Sequence, residues 1–570
     1  MPEIAESPYS QDTEEACQPA IQTLLVYPNV EDVALANLGF QRVHALLNRI
    51  EGVACDLFSL PAGWTPQDER LDEDAMLSRN NRRLPKEFDL IAFSVSFEPD
   101  YLNVATVLHY FGIPLERKER DASYPMIVAG GSAIFINPEP LAEIMDVFFI
   151  GEAEEMAEQF FHHYRENAGA AYFLKQAATI KGIYVPQFYH PEHEGNRQIG
   201  LKVEPSLPER IDRHWVEDSG QLLTHSEMHN GTSAFKDMAL MEITRGCIWA
   251  CRFCTAGFIY RPPRLPDLQR TYDSLAETLE QQGQETKTIG LVGPSVTDHP
   301  ELLPLAQRLV DEGKTLSFSS LRMETLTDEL VDLMIRSGQK TLTVAVDAPS
   351  ERMRQVVNKS ATDAFIIEKC RFLTQKGILN LKIYSIIGLP GETEEDIDQF
   401  ISLVERVTSG YVDASRGQGR IGKLTISLNP LIPKPGTPFQ WHPMERVEVL
   451  KRRFMKIRKA LGRLPNIKLS FGSPHEAYLQ TYLSRGDRTL VHFFKTYLAN
   501  GLDAKSALTA TSPQADYFVY RQYSKNDFLP WDIIDHGYHN DFLWQDYQRG
   551  LKELATPVCD TATCKVCGVC

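Results

Sequence analysis

The sequence predicts an α/β protein in three parts: an N-terminal Rossmann-like parallel sheet, a central (β/α)6–8 barrel, and a helical C-terminal region with a Cys-rich tail. Three observations carry this. Apolar strand segments alternate with helical ones from Ile21 onward. A second alternating series starts near Ala239. Beyond NPLIPKPGTPFQW the chain turns helical and aromatic, then closes on four cysteines. The length of 570 residues, at roughly 150 residues per domain, gives about three or four domains.

Residues 1–20 are acidic and lack both a basic stretch and an apolar run, so they read as a flexible tail and not as a signal peptide. The first domain, 21–170, is built from QTLLVYPN (Gln22 to Asn29), ACDLFSLP, FDLIAFSVSF, PMIVAGG (Pro125 to Gly131) and VFFIGEAEE. Continuous apolar strands separated by helices imply a parallel sheet covered on both faces. Such a sheet binds ligands at the C-terminal ends of its strands. Residues 171–235, rich in His, Glu, Pro and Asn, form a connector with a few strands. The barrel, 236–445, reads as six strands: ALMEITRG, KTIGLVG, TLSFSSLR, TLTVAVD, LNLKIYSIIGLP and KLTISLNP. Helices such as SLAETLEQQ and TDELVDLMIRSG separate them, and barrel chemistry belongs at the C-terminal strand ends. Residues 446–570 are the helical region and its tail.

Hydrophobic residues at 43% and charged residues at 24% are a globular balance, which excludes a disordered, collagen-like or disulfide-stapled chain. The formal charge of −17 lowers the expectation of a nucleic-acid partner, because that binding leans on Lys and Arg. No apolar run is long enough to span a membrane, and a cytoplasmic location is expected.

Cysteine placement carries the chemistry. Cys247, Cys251 and Cys254 follow the first barrel strand in EITRGCIWACRFCTAG. Three thiolates are one short of the four that close an iron–sulfur or structural zinc site, and an iron left open is where substrate can bind. This CxxxCxxC resembles the signature of the radical S-adenosylmethionine (radical SAM) superfamily. The resemblance implies a [4Fe–4S] cluster on the three cysteines, S-adenosyl-L-methionine chelated to its open iron, and reductive cleavage to a 5′-deoxyadenosyl radical. It implies an external reductant of flavodoxin or ferredoxin type. It also implies cofactor contacts from Gly293, Pro294 and Ser295 after strand two, Ser320 and Arg322 after strand three, Asp347 and Arg352 at strand four, and Gly388 after strand five. Relatives usually carry glutamate where this chain has Asp347 and glycine where it has Pro349. Arg252 and Phe253, inside the loop, are expected to tune cluster solvation.

The first domain resembles the cobalamin-binding domain that precedes the barrel in one radical SAM class. The matching segments are YPNVEDVALANLGFQ, FDLIAFSVSFEPDYLN and IVAGGSAIFINPEPLAEIMDVFFIGEAEE. The likeness is greatest to an uncharacterised family of cobalamin-binding-like domain fused to a radical SAM barrel, and it extends into TPFQW, LSRGDR, LPWD and CKVCGVC. It implies that Gly130 and Gly131 admit a planar macrocycle, that Ser94, Ser96, Ser132 and Asn137 bind its amide rim, and that Tyr27 and Asn29 face the lower cobalt side. The DxHxxG that supplies a cobalt-ligating His elsewhere is absent. The similar HYFG (His109 to Gly112) lacks the Asp, and His109 reads as an ordinary helix residue.

Cys559, Cys564, Cys567 and Cys570 suffice for a second [4Fe–4S] cluster or a zinc ion, and spacing alone does not choose. The reading is a radical SAM enzyme, a cobalamin-dependent methyltransferase acting on an unactivated carbon. Its alternatives are a non-methylating radical reaction (cyclisation, rearrangement or sulfur insertion) and an iron–sulfur redox sensor.

Overall fold

The computed structural model describes residues 20–569 except 67, 69–70, 168, 170–171, 229–234, 236 and 540. The N-terminal stretch, Cys17 and Cys570 lie outside the described residues.

The first domain is a six-stranded sheet of β1 (Ile21–Val30), β2 (Val53–Leu60), β3 (Leu90–Ser94), β4 (Met126–Gly130), β5 (Val147–Phe149) and β6 (Ile183–Tyr184), in the order β2-β1-β3-β4-β5-β6. The first five run parallel, with Thr23 beside both Cys55 and Leu90. They are mostly apolar because both faces are buried: Leu24, Val26, Ile91 and Phe93 point to one core and Leu25, Cys55, Leu57 and Leu90 to the other. β6 adds antiparallel to β5, so the sheet runs into the expected connector. That connector also holds a hairpin, β7 (Tyr189–Glu194) with β8 (Arg197–Val203), and the short β9 (Ile211–Asp212).

The barrel strands are β10 (Met238–Glu242), β11 (Thr288–Val292), β12 (Thr315–Phe318), β13 (Thr341–Asp347), β14 (Asn380–Ile387), β15 (Lys423–Pro430) and β16 (Ile467–Phe471). All pairings are parallel, but they form two sheets, β10-β11-β12 and β13-β14-β15-β16. β16 lies in the region expected to be helical. Its sequence, IKLSF, is too short and too exposed on alternate positions to stand out from flanking helices. The helix Leu268–Gln281 shows why the outer layer forms: Asp267 caps it, and Leu268, Thr271, Tyr272, Leu275 and Leu279 bury one stripe. Side chains of Thr327, Ser350 and Thr362 cap three further helices in the same way.

The helical region closes the molecule. A last strand, β17 (Ile534–Asp535), pairs with β9. The LSRGDR segment staples this region to the first domain. Arg488 meets Glu139 at 2.9 Å, Asp487 meets His193 at 2.9 Å, and Ser484 Oγ donates to Glu98 at 3.1 Å. Lys434 pairs with the same Glu98. Buried charges require such pairing, and here the pairing fixes the first sheet over the barrel mouth.

Candidate active site

The C-terminal ends of β3, β4 and β5 face those of β10 and β11 across one cavity of about 490 Å³, within the range of small-molecule and cofactor sites. The sheet side presents Ser94, Ser96, Gly130, Gly131, Ser132, Phe135 and Phe149. The barrel side presents Thr244, Arg245, Ala256, Tyr260, Gly293 and Pro294. Gly131 is required by geometry: its φ is +110°, and a Cβ would sit 2.4 Å from Val95 O. Ser132 Oγ donates to Ser96 O at 3.1 Å, tying the two loops together. Gly293 is equally confined, with a Cβ placed 2.5 Å from Thr244 Oγ1. That hydroxyl is buried without a hydrogen-bond partner at the cavity wall.

The cysteine loop lies just beyond. Cys247, Cys251 and Cys254 are free thiols. Burial pushes Cys247 up to about 12 and Cys254 up to about 11, and each feels the Cys251 charge. Cys251 is raised by burial too, but Lys359 and Arg322 pull it down. Arg322 Nη1 stands 3.7 Å from Cys251 Sγ, and its guanidinium lies 3.7 Å from the Trp249 ring centroid. Trp249 Nε1 donates in turn to Asp298 at 2.8 Å. Lys359 is buried, paired with Asp347 and bonded to Ala345 O at 3.0 Å. Among the described residues no three His, Cys, Asp or Glu side chains could hold a single metal ion. The Arg322 and Lys359 charges beside Cys251 would offset the negative charge of thiolate ligation to an iron–sulfur cluster.

The expected contacts divide. Ser94, Ser96, Gly130, Gly131, Ser132, Gly293 and Pro294 line the cavity, and Arg322 reaches Cys251. Ser295 is buried behind Pro294, whereas Ser320 is exposed. Asp347, at φ +62°, faces Lys359. Gly388 is held by Glu392, whose carboxylate accepts its N–H at 2.9 and 3.0 Å. Arg352 pairs with Asp396 and Gly391 O on an exposed flank. Asn137 points away from the cavity: its amide donates to Ser484 O at 3.0 Å and Gly486 O at 2.8 Å, making it part of the staple. Tyr27 is buried beneath the rim with its hydroxyl accepting from Asn37, and Asn29 donates to Asp100 at 2.8 Å. Sequence reasoning missed Trp249, Lys359 and Arg245. Arg245 had a signal, its i,i+3 pairing with Glu242; Lys359 had none.

The tail packs on the same loop. Cys559 N donates to Ile248 O at 2.9 Å, and buried Cys567 joins Ala250, Phe258 and Phe542 in one apolar cluster. Cys564 is half-buried.

Residues 241–404 match the family described as radical SAM superfamily, and residues 39–186 match radical SAM proteins, N-terminal. The uncharacterized protein MJ0966 of Methanocaldococcus jannaschii is 29% identical over 463 residues, 80% of this chain and 90% of its own. The tRNA-2-methylthio-N(6)-dimethylallyladenosine synthase of Prosthecochloris aestuarii is 22% identical over 326 residues, 53% of this chain and 72% of its own. The structure of the radical S-adenosylmethionine methyltransferase TsrM from Kitasatospora setae superposes with a TM-score of 0.50 at 16% identity, covering 76% of each chain, a likeness of fold.

Proposed function

Because the chain belongs to the radical SAM superfamily, and is thereby an enzyme of [4Fe–4S] and S-adenosyl-L-methionine chemistry, we propose that it is a cobalamin-dependent methyltransferase acting on an unactivated carbon. The observation that carries this is the cavity shared by the two strand-end rims, which runs from the Gly130–Ser132 loop to Ala256, two residues past Cys254. Cobalamin bound there would supply a methyl group to a substrate radical generated at the barrel rim. The residues present fit a flat, largely apolar ligand. Gly131 keeps the backbone open, Phe135 and Tyr260 meet edge to face at 5.3 Å to shape the wall, and the Thr244 hydroxyl is available to a polar rim. Among the described residues, none that lines the cavity is a histidine. Cys247, Cys251 and Cys254 would hold the cluster, with Arg322 and Lys359 as its nearest cations. The protein's work is orientation, charge balance and exclusion of water. The electron donor we expect is a flavodoxin- or ferredoxin-type protein.

A second reading, sulfur insertion, is favoured by one observation: the tail cysteines pack directly on the radical loop, where a second [4Fe–4S] cluster would stand beside the first. The methylthio-forming relative supports it.

Metal analysis after anaerobic purification with cobalamin supplied separates these. Cobalt of about one and iron of about eight per chain is the expected result. Iron of about eight without cobalt would favour sulfur insertion, and iron of about four with zinc of about one and no cobalt would remove both the cobalamin and the second cluster. Cys254→Ala abolishes S-adenosylmethionine cleavage under strong reductant; a redox sensor would show no cleavage even unmutated.

A further inference from the structure

Arg252 lies between two expected cluster ligands, yet it is fully buried, with 0% exposure. Its guanidinium is saturated. Nε and Nη2 meet Asp546 Oδ1 at 3.3 and 3.2 Å, and Nη1 donates to Gln355 O and Val356 O, both at 2.9 Å. Nη2 also reaches Leu554 O at 2.7 Å and Thr556 Oγ1 at 2.8 Å. The peptide of the same residue donates to Val357 O at 3.2 Å. One side chain thus joins the radical loop, the helix after β13, the helix Phe542–Leu551 and the segment leading into the cysteine tail.

A second tie runs parallel. Asn358 Nδ2 donates to Ala250 O at 3.0 Å and to Thr556 O at 3.2 Å, while its Oδ1 accepts from Thr556 N at 2.8 Å. Gly550 is conscripted to the arrangement, since a Cβ there would lie 2.8 Å from Arg252 Cδ. A planar, five-donor fork is the only side chain that satisfies this set. Burying a guanidinium is costly unless every donor is met, so the site has been built around it.

We propose that Arg252 is a positioning residue for the radical cluster: through Asp546 and the Leu554–Thr556 segment, it makes the C-terminal region the rear wall that fixes the Cys251–Cys254 loop. The proposal rests on the radical SAM reading, and misplacement of a reacting group by about 1 Å can cost about a hundredfold in rate.

The test is Arg252→Lys in the full-length chain, reconstituted anaerobically. Lysine keeps the charge but cannot span Asp546 and three carbonyls. The expected result is folded protein with a lowered melting temperature but normal iron content, an altered paramagnetic spectrum of the reduced cluster once S-adenosylmethionine is added, and cleavage slowed by about tenfold or more. A wild-type spectrum and wild-type cleavage overturn the proposal. If Arg252→Lys does not fold, Thr556→Val at the tail end of the contact carries the test: an altered spectrum with about threefold slower cleavage supports it, and an unchanged spectrum overturns it. Failure of the family reading is distinguishable, because the unmutated protein would then show neither cluster signal nor cleavage.

Discussion

Across the cavity, the rim of the first sheet and the rim of the barrel are built from different materials. The sheet rim is mostly glycine, serine and apolar side chains, with Arg42, Glu152 and Glu154 also on the cavity wall, and its shape at Gly131 comes from backbone lying against the backbone of Val95. The barrel rim behind it carries Arg322 and Lys359 against Cys251. A broad, nearly neutral ligand is held by fit and exclusion of water, so its wall needs closeness more than charge. An anionic cluster needs compensating cations in a low-dielectric setting. The two rims should therefore fail in different ways. Gly131→Ala forces a side chain to a φ of +110° and into Val95 O at 2.4 Å. It should cost about 3 kcal/mol and abolish cobalamin uptake, read by the absorbance of the purified protein, while iron content stays normal. Loss of iron along with cobalamin would show that the rims are not independent.

A titration separates them further. Asp100 sits under the sheet rim, where burial first, and the nearby Glu98, push its carboxyl up from 3.8 to about 7 although Asn29 and Asn103 oppose the shift. The folded pKa stands above the unfolded one, so this stabilisation is complete below about pH 4 and is lost as pH rises to about 7. The full shift would be worth about 4 kcal/mol. Asp100→Asn keeps the acceptor for Asn29, and about 2 kcal/mol of relative stabilisation should appear between pH 5 and pH 8 in denaturant titrations. A difference independent of pH would refute the assignment.

The two rims were also unequally legible. The cysteine loop announced itself by spacing, and the apolar strands of both sheets by continuity, because those signals are local. Asn137 read as a rim residue because it follows the right strand; its true partners, Ser484 and Gly486, lie 347 and 349 residues away. Lys359 escaped for the same reason: a lysine in VVNKS looks like surface charge until folding buries it. Arg252 was read as tuning cluster solvation, and only the tertiary arrangement shows that it binds Asp546 and the Leu554–Thr556 segment. β16 was missed because five half-exposed residues between helices carry no distinctive period.

Lys359→Met probes the barrel rim most gently. The lysine is buried beside Asp347, is bonded to Ala345 O and paired with Asp347, and acts on Cys251 through space. Reduction adds a negative charge to the cluster, and a neighbouring cation favours the reduced form. Methionine fills the same volume without the charge and leaves Asp347 uncompensated, so both consequences disfavour reduction. At the effective dielectric of protein interiors the loss is about 1 kcal/mol, a fall of about 40 mV in midpoint potential for a one-electron couple. A redox titration followed by the paramagnetic signal reads this directly, and cobalamin uptake at the opposite rim should not change. A potential that stays put or rises would mean that Lys359 serves only to hold Asp347, and that Arg322 alone balances the charge of the barrel rim.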